Sequence, residues 1–89
     1  MARVFVKLPV GMTTADGRGE VECDAATVGE ALAQAIAAEP RMRLGMYRED
    51  GRMYAGVFLN GRNIHAREGV DTPLEDGDKM LVVRRLSGG

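Results

Sequence analysis

The sequence has few of the residues on which catalytic and metal sites are usually built: one cysteine and one histidine among 89 residues. A single cysteine excludes an internal disulfide and a cysteine-based zinc cluster. Cys23 lies in an alternating segment, which predicts a buried, small apolar side chain rather than a reactive thiol. His65 has no constellation of serine, cysteine or carboxylate partners near it, so we expect a surface residue at a strand end. These features argue against an enzyme, and we expect no bound metal or cofactor.

Long apolar runs and a strong net charge are also missing. The formal net charge is -1, from 12 basic and 13 acidic residues that are mixed along the chain. This balance favours neither nucleic acid nor an anionic membrane as a partner. No run of about 18 apolar residues is present, and residues 1–11 are too short and too interrupted by charge for a signal peptide. We therefore expect a cytoplasmic protein.

The N-terminal third of the chain predicts a β-hairpin. Residues 3–8 have the composition of a strand, and alternation predicts that one face is buried: Val4, Val6 and Leu8. Asp16-Gly17 predicts a turn. The chain then reverses into a second strand at residues 20–23.

A helix follows, and its start carries a capping box. The Thr27 hydroxyl is placed to accept from an early helical N–H, while Glu30 reaches back toward the start. Apolar residues then recur at helical spacing and predict a buried stripe: Val28, Leu32, Ala35 and Ile36. Pro40 ends the helix after about three turns, because it disfavours helical geometry at the residue before it.

Residues 41–54 allow two interpretations. Leu44 is a candidate to fill the core beneath the end of the helix, and Asp50-Gly51 is a candidate turn of a short hairpin. An irregular surface loop fits the same residues equally well.

The C-terminal third again predicts strands. Val57-Phe58-Leu59 is followed by Asn60-Gly61, the strongest short hairpin signal in the sequence. Residues 72–78 have turn composition, and residues 80–83 form a continuous apolar run that predicts a last strand with one buried face. The pattern is α+β, with one main helix covering one face of a mixed sheet in a single domain.

The chain ends Ser87-Gly88-Gly89. Two consecutive glycines fit neither a strand nor a helix, because glycine has no side chain to pack and a high backbone entropy. Without a Cβ, such an end can pass through a narrow channel and approach another protein closely. We expect a folded domain over residues 1–84 and a flexible tail over residues 85–89.

Three segments together resemble the ubiquitin-like sulfur-carrier family, which includes the small subunit of molybdopterin synthase and the carriers of thiamine and cysteine biosynthesis. They are Val57-Phe58-Leu59-Asn60-Gly61, Thr72-Pro73-Leu74-Glu75-Asp76-Gly77-Asp78 and the terminal Gly88-Gly89. The resemblance implies a β-grasp fold with about five strands. The length of residues 41–54 is most similar to that of the cysteine-pathway carrier.

The resemblance also implies a chemistry. An E1-like enzyme uses ATP to adenylate the Gly89 carboxylate, and a sulfur donor then displaces AMP to leave a thiocarboxylate. A biosynthetic partner enzyme accepts the sulfur. Ser87 and Gly88 would thread the tail into these enzymes.

Two alternatives stay open. The segments Val4-Phe5-Val6-Lys7 and Arg85-Leu86-Ser87-Gly88-Gly89 also resemble ubiquitin, and Arg84-Arg85 stands where many sulfur carriers have Pro-Pro or Pro-Ala. Both features leave open a protein modifier, joined through Gly89 to lysines of target proteins. The other alternative is an interaction module with an inert tail.

Strand alternation predicts the docking surface for these partners. The residues expected to face the helix are Val4, Val6, Val57, Leu59, Met80 and Val82. Four apolar side chains are then expected on the outer face of the sheet, close to a basic start of the tail. The predicted partner-binding residues are Phe5, Phe58, Leu81, Val83, Arg84, Arg85 and Leu86. The competing interpretation is that residues 41–54 fold over the four apolar side chains and bury them.

Overall fold

The structure is a computed structural model that describes residues 1–9, 17–47 and 56–83. They form a five-stranded sheet with strand order β2-β1-β5-β3-β4. β1 and β5 are parallel, and the other neighbours are antiparallel. The strands are β1 (Ala2–Lys7), β2 (Glu20–Ala25), β3 (Gly56–Leu59), β4 (Arg62–Asn63) and β5 (Lys79–Val83). The predicted α+β arrangement, a mixed sheet of five strands with one main helix, is confirmed.

The main helix, α1 (Val28–Ala38), covers one face of the sheet. Its predicted capping box is present with one difference. The Thr27 hydroxyl accepts a hydrogen bond from the Glu30 N–H at 3.3 Å, but Glu30 Oε1 accepts from the Ala26 N–H at 2.8 Å, one residue before the cap. The helix ends at Ala38, as Pro40 predicts.

The buried stripe of α1 is close to the predicted one. Ala31 takes the fourth buried position, whereas Ile36 is half-buried and packs at the margin of the core. Beneath the stripe lies the inner face of the sheet, whose residues are at most 2% exposed: Val4, Val6, Val57, Leu59, Met80 and Val82. Strand alternation predicts these six residues correctly.

Part of the segment that the sequence left open is a short helix, α2 (Met42–Met46). Met42 and Met46 are fully buried and fill the core beyond the end of α1. The side chain of Leu44 lies outside the described residues, as does Asp50-Gly51. The competing interpretations of those residues stay predictions.

The two predicted turns of the C-terminal third are present. Asn60 and Gly61 have φ angles of 51° and 84°, the two positive values that a type I′ hairpin requires. Residues 64–66 and 69–71 form single 3₁₀ turns, and His65 is exposed directly after β4. At the start of the 72–78 turn, the Thr72 carbonyl accepts a hydrogen bond from the Val28 N–H of α1 at 3.0 Å. This bond links the turn to the start of α1. No helix in the described ranges has the length and apolarity needed to cross a membrane.

Candidate functional site

The face of the sheet opposite α1, here called the open face, carries the predicted apolar patch: Phe5, Phe58, Leu81 and Val83. Leu81 and Val83 are 39% and 43% exposed, and both phenylalanines are half-buried. Their strand neighbours on the inner face are buried, so the alternation is complete. The predicted placement of these four side chains is confirmed, while their part in partner binding stays a prediction.

The sheet register brings the patch together. Phe58 pairs with Leu81 across β3 and β5, and Phe5 lies on the next strand, opposite Lys79. These three apolar residues line one shallow hollow of about 630 Å³. Val83 is not part of that lining and continues the patch along β5, toward the C-terminal end of the strand.

Gly56 leaves room for the ring of Phe58. A Cβ placed on Gly56 would lie 3.3 Å from Phe58 Cε2 and 3.8 Å from Val83 Cβ. The first distance is closer than ordinary van der Waals contact, so a side chain at Gly56 would displace the ring. The shape of the patch therefore depends on a glycine as well as on its four apolar members.

Charged residues at the hollow were not predicted as part of the site. Lys7, Lys79 and Glu20 also line it, and all three are exposed. These two lysines are the only ones in the sequence. The signal that would have found them was available, since alternation puts Lys7 on the same face as Phe5 and Lys79 on the same face as Leu81. The hollow thus combines an apolar floor with charges of both signs.

One end of the hollow is held by a hydrogen-bonded clasp between Asn60 and Asp78. Asn60 Nδ2 donates to Asp78 Oδ1 at 2.9 Å, and Asn60 Oδ1 accepts from the Lys79 N–H at 3.0 Å. Asp78 Oδ2 accepts from the Glu75 N–H at 2.8 Å. The clasp fixes the β3–β4 turn against the start of β5.

The predicted tail, residues 85–89, lies outside the described residues, and so does the last residue of the predicted domain, Arg84. The predicted site residues among them are Arg84, Arg85, Leu86, Ser87, Gly88 and Gly89. β5 ends at Val83, a member of the apolar patch, so the tail begins in sequence two residues after the patch. The competing interpretation places residues 41–54 over the patch. Residues 42 and 46 pack into the core instead, whereas residues 48–55 lie outside the described part of the chain.

Cys23 is buried, as the sequence predicts. Its thiol lies 3.6 Å from the Ala31 carbonyl oxygen, to which it donates. Burial raises the pKa of the Cys23 thiol, and the neighbouring carboxylates of Asp24 and Glu22 raise that pKa further. A thiol that is both buried and held in its neutral form is a poor nucleophile.

Metal-ligating side chains do not converge in the described part of the chain: no group of three or more histidine, cysteine, aspartate or glutamate residues is placed to hold an ion. The exposed His65 donates its backbone N–H to Asn63 Oδ1 at 2.8 Å. That contact caps a 3₁₀ turn and is structural.

Known proteins resemble this chain over most of its length. A candidate sulfur carrier protein of Archaeoglobus fulgidus is 27% identical over 88 residues, which cover 97% of this chain and 98% of the relative. Small archaeal modifier protein 3 of Haloferax volcanii is 37% identical over 68 residues, covering 74% of this chain and 73% of the relative.

Solved structures agree with these relatives. The solution structure of small archaeal modifier protein 1 from Methanosarcina acetivorans superimposes with a TM-score of 0.80 and 27% identity, covering 100% of this chain and 98% of that one. The ubiquitin-like β-grasp fold is thereby confirmed. The likeness to the cysteine-pathway carrier in particular stays a prediction.

A family model also matches most of the chain. The sequence profile of the ThiS family matches residues 6–89, which include the last two residues of β1 and every later strand and helix that the structure describes. The match also spans the predicted tail. The chain is therefore a member of the ThiS family of small ubiquitin-like sulfur carriers.

Proposed function

We propose that this protein carries sulfur on its C-terminal carboxylate at Gly89. The observation that carries the proposal is the ThiS-family match, which extends through Gly89. An E1-like enzyme joins the carboxylate oxygen to the α-phosphorus of ATP and releases pyrophosphate. A hydrosulfide-level donor then attacks the acyl carbon, AMP leaves with the C–O bond electrons, and a thiocarboxylate remains. A biosynthetic enzyme takes up that sulfur.

The division of labour follows from what the folded part of the chain offers. Activating a carboxylate requires a bound nucleotide and charge stabilisation at phosphate, which we assign to the E1-like partner. The carrier supplies a docking surface and a thin tail, in which Ser87 and Gly88 thread and Gly89 reacts. Since the activating step consumes ATP, we place it in the cytoplasm.

The open face is the surface we assign to docking. Its apolar patch is exposed at Leu81 and Val83, and exposed apolar patches with polar rims commonly mark protein interfaces. Arg84, Arg85 and Leu86 follow Val83 directly in sequence and extend the same interface in the proposal. Docking there would deliver the first residue of the tail to the partner at a fixed position.

A second candidate function is conjugation to proteins. It is favoured by the 37% identity to small archaeal modifier protein 3 of Haloferax volcanii. In this function the lysine amine of a target protein attacks the activated Gly89 carbonyl, AMP leaves, and an isopeptide bond forms. The two functions share the activation step, and one protein can perform both.

The experiment is mass spectrometry of N-terminally tagged protein recovered from its own host, both intact and after trypsin digestion. The proposal expects an intact mass raised by exchange of one oxygen for sulfur, with the change mapped to Gly89. A variant that lacks Gly88 and Gly89 is the control and should carry no such change.

Each other outcome has a defined meaning. A Leu86-Ser87-Gly88-Gly89 remnant on lysines of other proteins, left by cleavage after Arg85, would make conjugation the main role. An unmodified tail, even with the E1-like enzyme, ATP and sulfide supplied, would overturn both functions and leave an interaction module.

A further inference from the structure

Among the strands that the structure describes, β2 is an outer strand of the sheet, and β1 is its one neighbour. In the β1–β2 ladder, Val21 and Cys23 pair with β1 residues whose backbone groups face β2, and the Leu8 N–H continues this series to the Gly19 carbonyl at 2.8 Å. In an antiparallel pair, alternate residues direct their N–H and C=O away from the partner strand. The backbone groups of Glu20, Glu22 and Asp24 are therefore directed to the free edge.

A side chain of α1 closes one end of this edge. Gln34 Oε1 accepts from the Asp24 N–H at 3.1 Å, and Gln34 Nε2 donates to the Asp24 carbonyl oxygen. This is the exchange of two hydrogen bonds that a residue of an added strand would make. Gln34 therefore occupies the place of a neighbouring strand at Asp24.

The rest of the edge has no such cover from α1. One turn beyond Gln34, the same side of the helix carries Ala38. Ala38 is exposed, and its methyl side chain cannot hydrogen-bond to β2. No hydrogen bond in the described part of the chain covers the outward backbone groups of Glu20 or Glu22. Between them Val21 is half-buried at the margin of the core. Unpaired strand edges of this kind are templates for an added strand.

The charges on β2 decide which kind of strand fits. All three open-face side chains of β2 are acidic: Glu20, Glu22 and Asp24. Asp24 lies 3.6 Å from Arg3, and Glu20 stands opposite Lys7, but Glu22 stands opposite Phe5 and has no cation across the ladder. A second copy adding its own β2 would place like charges opposite one another, which is destabilising.

We propose that the β2 edge at residues 20–22 binds an extended segment of a partner protein in which basic and apolar residues alternate. The backbone of that segment pairs with Glu20 and Glu22. Its basic side chains lie beside the two carboxylates on the open face, and its apolar side chains lie against Val21 and Ala38. This is β-strand addition, in which main-chain bonds supply affinity and side chains supply selectivity. It uses the strand edge and is independent of the tail chemistry.

The test uses the full chain, labelled with ¹⁵N, and a blocked hexapeptide of alternating arginine and valine. Amide shifts should change at residues 20–23, and hydrogen exchange of the Glu20 and Glu22 amides should slow. The same peptide N-methylated at every residue keeps its charge but loses the hydrogen-bond donors of both strand edges, and it should not bind. Equal binding of this methylated peptide, or shifts centred on Phe58 and Leu81, would overturn the proposal.

Variants separate the edge from general electrostatics. Glu22→Arg should weaken peptide binding by roughly tenfold, since a favourable cross-strand charge pair becomes a repulsive one. Glu68→Arg makes the same change in net charge outside the sheet and should leave affinity unchanged. Gln34→Ala should strengthen binding, because it frees the Asp24 backbone and lengthens the edge. Equal losses in Glu22→Arg and Glu68→Arg, or weaker binding by Gln34→Ala, would contradict strand addition.

Discussion

Asn60 and Asp78 lie 18 residues apart and are joined by a 2.9 Å hydrogen bond that ties the β3–β4 hairpin to the start of β5. The same Asn60 side chain accepts from the Lys79 backbone, and its own N–H donates to the Lys79 carbonyl at 2.8 Å. Asn60 has a φ of 51°, a left-handed value that asparagine adopts more readily than most residues. Asn60 therefore forms part of the hairpin turn and also makes the side-chain hydrogen bonds that hold the turn against β5.

The clasp should contribute measurably to folding. Asn60→Gly keeps the positive φ but removes the side-chain bonds, so we expect a loss of about 1–2 kcal/mol in the free energy of unfolding. Urea denaturation of Asn60→Gly, Asp78→Ala and the double variant gives the coupling energy between the two residues. Additive losses in the free energy of unfolding would show that the two residues act independently, which would contradict a stabilising interaction between them.

Phe58 should matter for docking and little for folding. Phe58→Asp places a charge on the half-buried open face, so the E1-like enzyme should bind the variant more weakly while the melting temperature changes little. Val57→Asp is the matched control, because Val57 is 1% exposed and a buried unpaired carboxylate should unfold the domain. Binding is measured by calorimetry and folding by circular dichroism. A large drop in the melting temperature of Phe58→Asp would show that Phe58 belongs to the core.

Gly56→Ala should change the shape of the patch. The new Cβ would meet Phe58 Cε2 at 3.3 Å, and the ring can move because it lies on the open face. We expect a small change in stability, new Phe58 ring shifts in NMR spectra, and weaker docking. Unchanged ring shifts would mean that the contact relaxes elsewhere.

The Thr27 cap should stabilise α1. Thr27→Ala removes the acceptor for the Glu30 N–H and should lower the free energy of unfolding by about 1 kcal/mol, measured by thermal or urea denaturation. Thr27→Ser keeps a hydroxyl at the same place and should retain most of the stability. Equal losses in both variants would argue that the threonine methyl group, not the cap, is responsible.

Cys23 should resist alkylation while the protein is folded. Its pKa is raised chiefly by burial, so iodoacetamide should react at neutral pH only after urea unfolds the chain. The same shift predicts a pH dependence. Because the folded-state pKa lies above the unfolded one, the stability linked to the neutral thiol is present at low pH and is lost as pH rises through the folded-state value.

A matched variant isolates that effect. Between pH 7 and about pH 10, where a free thiol would ionise, the native protein should lose more stability than Cys23→Ala. The smaller side chain of Cys23→Ala also changes stability, but by the same amount at every pH. It therefore does not affect the comparison of how much stability each protein loses between the two pH values. An equal loss in both proteins would show that the thiol is not responsible for the alkaline change.

Local rules predicted most of the fold from the sequence. Alternation identified the inner-face residues of β1, β3 and β5, and the Asn60-Gly61 and Thr27 signals placed a turn and a helix start correctly. Each of these depends on neighbours within a few residues. The four-residue apolar patch was found in the same way, because the face of a strand residue follows from its parity.

Features that depend on tertiary packing or on the conformation of one side chain were not predicted. Gln34 closes the edge at Asp24 only because α1 lies across β2, and Gly56 shapes the patch only because the Phe58 ring folds back along β3. The Met42 and Met46 contribution to the core belongs to a short helix with no cap signal. Sequence periodicity carries no information on such packing until the sheet order is known.

The order of strands has a mechanical consequence. Among the five described strands β5 is the central one, and no other strand of that sheet joins the β2-β1 pair to the β3-β4 pair. A partner that pulls on the residues after Val83 therefore loads the strand that holds both halves of the sheet. Because β1 and β5 run parallel, tension between the two ends of the chain shears their hydrogen bonds together instead of unzipping them singly. In the proposed function, the tail that reacts in partner enzymes would thus continue from the strand that holds the two halves of the sheet together.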